Sequence, residues 1–78
     1  VIPHYELTLH VRQRMTQRGI DVTELEDVLA SPDRFTHDPR QNSYRLERDL
    51  PQGTLKVWVV APWPPVGTVV IKSTARKN

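Results

Sequence analysis

His10, Arg14 and Arg18 stand four residues apart, and Lys72 and Thr74 stand two apart near the other end of the chain. An imidazole gains or loses a proton near neutral pH. Guanidinium and ammonium groups hold phosphate oxygens and favour a transition state more negative than its ground state. A hydroxyl adds a hydrogen bond to the same oxygens. Proton transfer beside a bound phosphate is therefore the chemistry these residue types permit.

Helical spacing tests that reading. At about 100° per residue, His10, Arg14 and Arg18 fall near 0°, 40° and 80°, and Leu7, Val11 and Met15 near 60°, 100° and 140°. The basic line flanks and overlaps the apolar stripe, so it is expected toward a sheet or its rim. Arg12, Gln13 and Thr16 take the opposite side. A charge at the boundary of a core is costly to desolvate without a partner. The plainer alternative pairs Arg14 and Arg18 with acids of the next helix and makes His10 an ordinary half-buried histidine. On the strands, Lys72 and Thr74 are expected on one face, about 7 Å apart. Tyr44, Arg45 and Lys56 lie on preceding strands. Lys72 directly follows Val69-Val70-Ile71, where another apolar residue would be ordinary, and snorkelling to the sheet edge is its plain explanation.

Other chemistries lack their parts. His4, His10 and His37 have no cysteine, no HExxH and no carboxylate at ligand spacing, so no zinc site is expected. The glycines are isolated and make no phosphate loop. Ser43 or Ser73 could enter a Ser-His-Asp set, but nothing supplies an elbow. No cofactor is expected. Trp63, within Pro62-Trp63-Pro64-Pro65, could stack on a base or anchor a protein, and is expected instead to fold back over the sheet.

The elements that must position these groups are short. Residues 6–18 read as a helix, capped by Thr8 or the residues just before it and closed by Gly19. A second helix begins at Asp21, whose pairing with Glu24 is capping-box-like, and stops at Ser31-Pro32. Val22, Leu25, Val28 and Leu29 line its apolar face. From residue 34 the period becomes two. Arg34–Asp38 suits a short edge strand, Ser43–Asp49 and Thr54–Ala61 are strands around Pro51-Gln52-Gly53, and Val66–Thr74 is the last. On Thr54–Ala61, Leu55, Val57 and Val59 face one way and Lys56, Trp58 and Val60 the other. The fold class is α+β: two N-terminal helices on a three- to four-stranded antiparallel sheet.

With 78 residues the chain makes one domain, too small for a dinucleotide fold or a barrel enzyme. Cysteine is absent, so there is no disulfide framework. No apolar stretch approaches the ~20 residues of a membrane span. The first residue is valine, which suggests a C-terminal domain cut from a longer polypeptide. The net charge of +2 is unevenly spread. Residues 1–20 set three arginines against Glu6; residues 21–33 hold five acids and no base; residues 34–78 set eight bases against Asp38, Glu47 and Asp49. Two basic flanks around an acidic middle suit a phosphate backbone on one face. Ordinary solvated surface is the alternative.

The run His10-Val11-Arg12-Gln13-Arg14-Met15-Thr16-Gln17-Arg18-Gly19-Ile20, followed by an acidic helix ending near Ser31-Pro32-Asp33, resembles the opening of an uncharacterised bacterial family related to BrnT and RelE toxins. Such domains are similar to the small ribonucleases that include barnase, EndoU and colicin-type tRNases, often the C-terminal toxic tips of contact-dependent or other polymorphic toxins. The resemblance spans nearly the whole chain, but only that run is specific, and the Pro62–Pro65 insert departs from the family pattern. It implies a metal-independent endoribonuclease, tRNA favoured, in which the 2′-hydroxyl of RNA attacks the adjacent phosphorus. His10 would move the proton, Arg14 and Lys72 would hold the scissile phosphate, and Thr74 would donate to it. Tyr44 would position or protonate, while Arg45, Lys56 and Arg18 would bind neighbouring phosphates. The partners implied are RNA and a cognate immunity or antitoxin protein. Delivery from a cell surface or by secretion into a target cytoplasm is implied, or simple cytoplasmic action. A non-catalytic RNA- or protein-binding module and a type II toxin acting on mRNA are the alternatives.

Overall fold

A computed structural model describes residues 2–77. In chain order the elements are β1 (Tyr5–Leu7), α1 (Leu9–Arg18), α2 (Val22–Ala30), β2 (Arg34–Asp38), β3 (Ser43–Leu50), β4 (Gly53–Val60) and β5 (Val69–Lys77). The strands form one sheet in the order β1-β5-β4-β3-β2. Only β1 runs parallel to its neighbour, β5; the other pairs are antiparallel. The α+β class and the two helices hold. The three- to four-stranded antiparallel sheet is corrected to a five-stranded mixed one.

The additional strand comes out of the expected first helix. Thr8 is extended (φ −72°, ψ 159°) and its Oγ1 accepts from the Val11 N–H at 3.1 Å, so α1 starts at Leu9. Leu7 ends β1 opposite Ile71 instead of heading the helical stripe. Its ladder partner lies more than sixty residues away, where no local period can reveal it. The helix ends are where local chemistry puts them. Gly19 is left-handed at φ 65°, and its N–H meets the Thr16 carbonyl at 3.3 Å. The Glu24 carboxylate reaches back to the Asp21 N–H at 3.1 Å.

Both helices lie on one face of the sheet. Val11, Met15, Ile20, Leu25, Val28 and Leu29 meet Leu46, Leu55, Val57, Val59, Val69 and Ile71 in a single buried cluster. Each such side chain contributes roughly 1.5–3 kcal/mol by leaving water. Tyr44 and Trp63 pack against that cluster from its margin, so Trp63 does fold back. Among the described residues no helix covers the other face of the sheet, although Ser43 on that face is buried.

β5 departs twice from its expected form. It spans Val69–Lys77, not Val66–Thr74, so Ala75, Arg76 and Lys77 belong to the ladder, opposite Lys56, Leu55 and Thr54. It also contains a bulge. Trp58 pairs with Ser73 and Val59 with Ile71, leaving Lys72 opposite no residue. Ile71 is therefore buried, Lys72 and Ser73 are both exposed, and Thr74 is buried again. Strict alternation would put Lys72 and Thr74 together, and the extra residue separates them to opposite faces.

Candidate functional site

α1 brings His10 and Arg14 one turn apart, the spacing at which helix side chains are neighbours. Both are exposed, not turned onto the sheet. Among the described residues neither side chain joins an ion pair or a hydrogen bond, so the alternative pairing of Arg14 with α2 acids does not form. Arg18 also finds no α2 acid. Its Nη1 donates to the Thr74 carbonyl at 2.5 Å and ties the end of α1 to β5.

Thr74 itself is 1% exposed, and its Oγ1 has no hydrogen-bond partner. It lies under the helices, out of reach of any phosphate, and the donor role expected for it is corrected on that ground. Tyr44 is half-buried on the helix-covered face, its ring stacked on His37 with centroids 4.6 Å apart and planes 21° from parallel. A transverse row, Leu7–Ile71–Val59–Tyr44–His37, crosses that face. α1 departs from the Leu7 end of this row, and the stacked rings close the other.

Arg45, Lys56 and Lys72 lie on the bare face. Arg45 is opposite Trp58, and Lys56 is two residues along β4 from that tryptophan. Arg45 Nε sits 2.8 Å from Glu47 Oε1, yet it is buried and the contact lacks the alignment of a hydrogen bond. Glu47 is shared with Arg34, 3.4 Å away, which in turn grips Asp49 at 3.0 and 3.2 Å. Those hydrogen bonds, with one from Thr54, hold the Asp49 carboxyl down to about 2 and push the Arg34 guanidinium above its ordinary value. Lys56 faces Glu47 across the ladder but forms no ion pair, the two arginines having taken it. Lys72 Nζ reaches the Gln41 carbonyl at 3.4 Å, in the turn that carries Arg40. A shallow depression of about 280 Å³, lined by residues 36–40, Asp38 and Arg40 among them, with Arg45 and Trp58, opens beside that turn.

The expected site thus divides: His10, Arg14 and Tyr44 belong to the helix side of the sheet, and Arg45, Lys56 and Lys72 to the bare side. Arg40, Trp58 and the His37 ring are the additions that the structure makes. The outward placement of Trp58 beside Lys56 was in the alternation of β4, and a tryptophan on the polar side of a strand was the usable signal. Arg40 sits in a turn, where periodicity carries no information. A larger cleft, about 770 Å³, runs along the other flank of α1 between Tyr5, Leu7, Arg12 and Met15, and none of the expected site residues lines it. Its Tyr5 hydroxyl donates to Glu26 Oε2 at 3.0 Å; burial, then that carboxylate, raises the phenol above its ordinary value. Among the described residues no three His, Asp or Glu side chains gather as a metal site. Nor is any described helix long and apolar enough to cross a membrane.

Fold and surface together define a small α+β module with one helix-covered and one cation-bearing sheet face. The chain belongs to the family described as a domain of unknown function (DUF4258), whose model matches residues 7–73. Comparison with curated proteins and with solved structures gives no match.

Proposed function

We propose that the chain is a metal-independent endoribonuclease of the toxin kind, with tRNA its favoured substrate. The observation that carries this reading is the exposed, unpaired His10–Arg14 step on α1. His10 takes the 2′-hydroxyl proton as O2′ bonds to phosphorus, and the bond from phosphorus to O5′ breaks. The products are a 2′,3′-cyclic phosphate and a 5′-hydroxyl. Arg14 neutralises the charge that builds on the non-bridging oxygens. Tyr44, on the face of the sheet that α1 covers, positions or protonates the leaving oxygen. Lys72 has a revised part: with Arg45 and Lys56 it holds neighbouring phosphates of the strand instead of the scissile one. A cognate immunity or antitoxin protein, and action inside a target cell or the producing cell, belong to the same proposal.

One observation favours a second reading. Thr74 is buried and Lys72 lies on the far face, so part of the expected catalytic set is dispersed, as a non-catalytic RNA-binding module would allow. Incubation of the purified chain with total tRNA and rRNA in EDTA separates the two. Cleavage that falls at least about 100-fold in His10→Ala, with an unchanged circular-dichroism spectrum, supports the ribonuclease. Full activity in both His10→Ala and Arg14→Ala rejects it, and salt-sensitive binding with no cleavage selects the binder.

A further inference from the structure

We propose that the depression on the bare face of the sheet is a stacking subsite for a base of a single-stranded polynucleotide, with Trp58 as platform and Arg40, Arg45 and Lys72 as its phosphate-binding rim. The inference rests on the nucleic-acid part of the function proposed above and is independent of cleavage.

Both helices pack on the opposite face, and among the described residues no helix or strand lies over Trp58, which stays half-exposed near the end of β4. An indole is among the largest apolar surfaces a side chain can present, and leaving it uncovered on a central strand forgoes burial that a ligand would restore. The register sets Arg45 directly opposite it on β3 and Ser73 opposite it on β5. Arg40 joins from the β2–β3 turn, where its backbone N–H donates to Asp38 Oδ1 at 3.1 Å. Lys72 reaches the same turn through Gln41 only because the bulge turns it outward beside Ser73.

Charge decides which ligand fits. Two carboxylates of this face are held by cations, Asp49 by Arg34 and Glu47 by Arg34 and Arg45; Asp38, which lines the depression, accepts from the turn backbone, and Glu6 at the β1 edge has no cation partner among the described residues. Among the described residues Arg40, Lys56 and Lys72 have no carboxylate partner, whereas Arg45 is paired with Glu47. The surface is therefore prepared for an anion, and its centre is a flat aromatic ring. An acidic protein would satisfy the cations and leave the ring unused. A duplex keeps its bases stacked inside and has no free face to offer. A single strand supplies phosphates and exposed bases together, and stacking on an indole is tolerant of base identity. The shared chemistry covers RNA and DNA single strands, which the experiment separates.

Binding to the full chain is read from tryptophan fluorescence with four probes: the decamers dT10 and U10, an abasic decamer with the same phosphates, and poly-glutamate. dT10 has no 2′-hydroxyl and cannot be cleaved by the proposed route; U10 is tested on His10→Ala. In Trp63→Phe, Trp58 is the sole tryptophan. If that variant fails to fold, the indole N–H resonance of Trp58 in the parent chain, assigned through Trp58→Leu, replaces it. The expected result is quenching by dT10 and U10, with the abasic decamer bound about tenfold more weakly or worse. Trp58→Leu should weaken dT10 about tenfold and leave the abasic decamer unchanged. Arg40→Gln and Lys72→Gln should each reduce the slope of log K against log salt by about 0.7. Tighter binding of U10 than dT10 assigns the subsite to RNA, and equality assigns it to either strand. Equal affinity for dT10 and the abasic decamer, or poly-glutamate bound as tightly as dT10, overturns the proposal. Binding of dT10 without any RNA cleavage leaves the subsite standing and removes the ribonuclease. Cleavage with dT10 binding unaltered in Trp58→Leu does the reverse.

Discussion

A carboxylate is held most firmly by a guanidinium when two parallel hydrogen bonds align. Arg76 donates to both oxygens of Glu24 at 2.8 and 2.9 Å, and also to the Gly19 carbonyl at 3.2 Å, so one side chain of β5 secures both helices. The hydrogen bonds from Arg76 outweigh desolvation and draw the Glu24 carboxyl below its ordinary value of 4.5. A depressed folded-state value means stability that is present above the unfolded value and is lost as pH falls through the folded one. The Glu24 contribution to the urea midpoint should therefore be constant from about pH 5 to pH 9 and decline in acid, and the raised Tyr5 phenol adds a separate decline above about pH 10. Glu24→Gln should cost about 2 kcal/mol at pH 7 and flatten part of the acid decline. Thr74→Val should act in the opposite direction. Its Oγ1 is buried without a partner, so replacing the hydroxyl by a methyl should raise stability by about 1 kcal/mol, read from the same urea transitions. Neither effect was legible in the sequence. Residue types announced His10 and Arg14, but the burial of Thr74 depends on one unpaired residue two positions earlier.

At the level of elements, legibility followed the range of the interactions. Both helices were readable because their caps are local: Thr8, Gly19 and the Asp21–Glu24 pair act within four residues of their targets. β2, β3 and β4 were readable within a residue or so because alternation is local too. β1 has three residues and a parallel partner at the far end of the chain, so only the assembled sheet shows it. The bulge in β5 is likewise a property of a pair of strands, and a single strand's alternation cannot report it. Gly19 tests the local part. Its φ of 65° is strained for an L side chain, and no atom lies within 4 Å of where a Cβ would stand. Gly19→Ala should therefore cost about 1 kcal/mol through the backbone alone, with no steric addition. A loss above about 3 kcal/mol in the urea midpoint would contradict that account.

Across the whole molecule, the acidic middle of the chain stays on the helix side of the sheet, where Arg14, Arg18 and Arg76 offset it, and Asp38, Glu47 and Asp49 share the bare side with the cations there. The acids of residues 21–33 lie on or beside α2, over one face of the sheet, and Arg40, Arg45, Lys56 and Lys72 lie on or beside the other. The molecule measures 28 × 27 × 26 Å, so acids on the outer side of the helix layer and a strand on the bare face are separated by more than the Debye length of about 8 Å at physiological salt. The acids should therefore repel a strand on the bare face only when salt is low. Four phosphate contacts on a single strand give a slope of log K against log salt of about −2.8, which is about a 50-fold loss between 50 and 200 mM salt. Asp27 is exposed on α2 and its side chain has no ion pair among the described residues, so Asp27→Asn removes one acid without disturbing a contact. That variant should bind dT10 more tightly at 20 mM salt and equally at 150 mM, with the slope slightly steepened. An equal gain at both salts would mean that α2 touches the strand, and the two faces would then not be electrically separate.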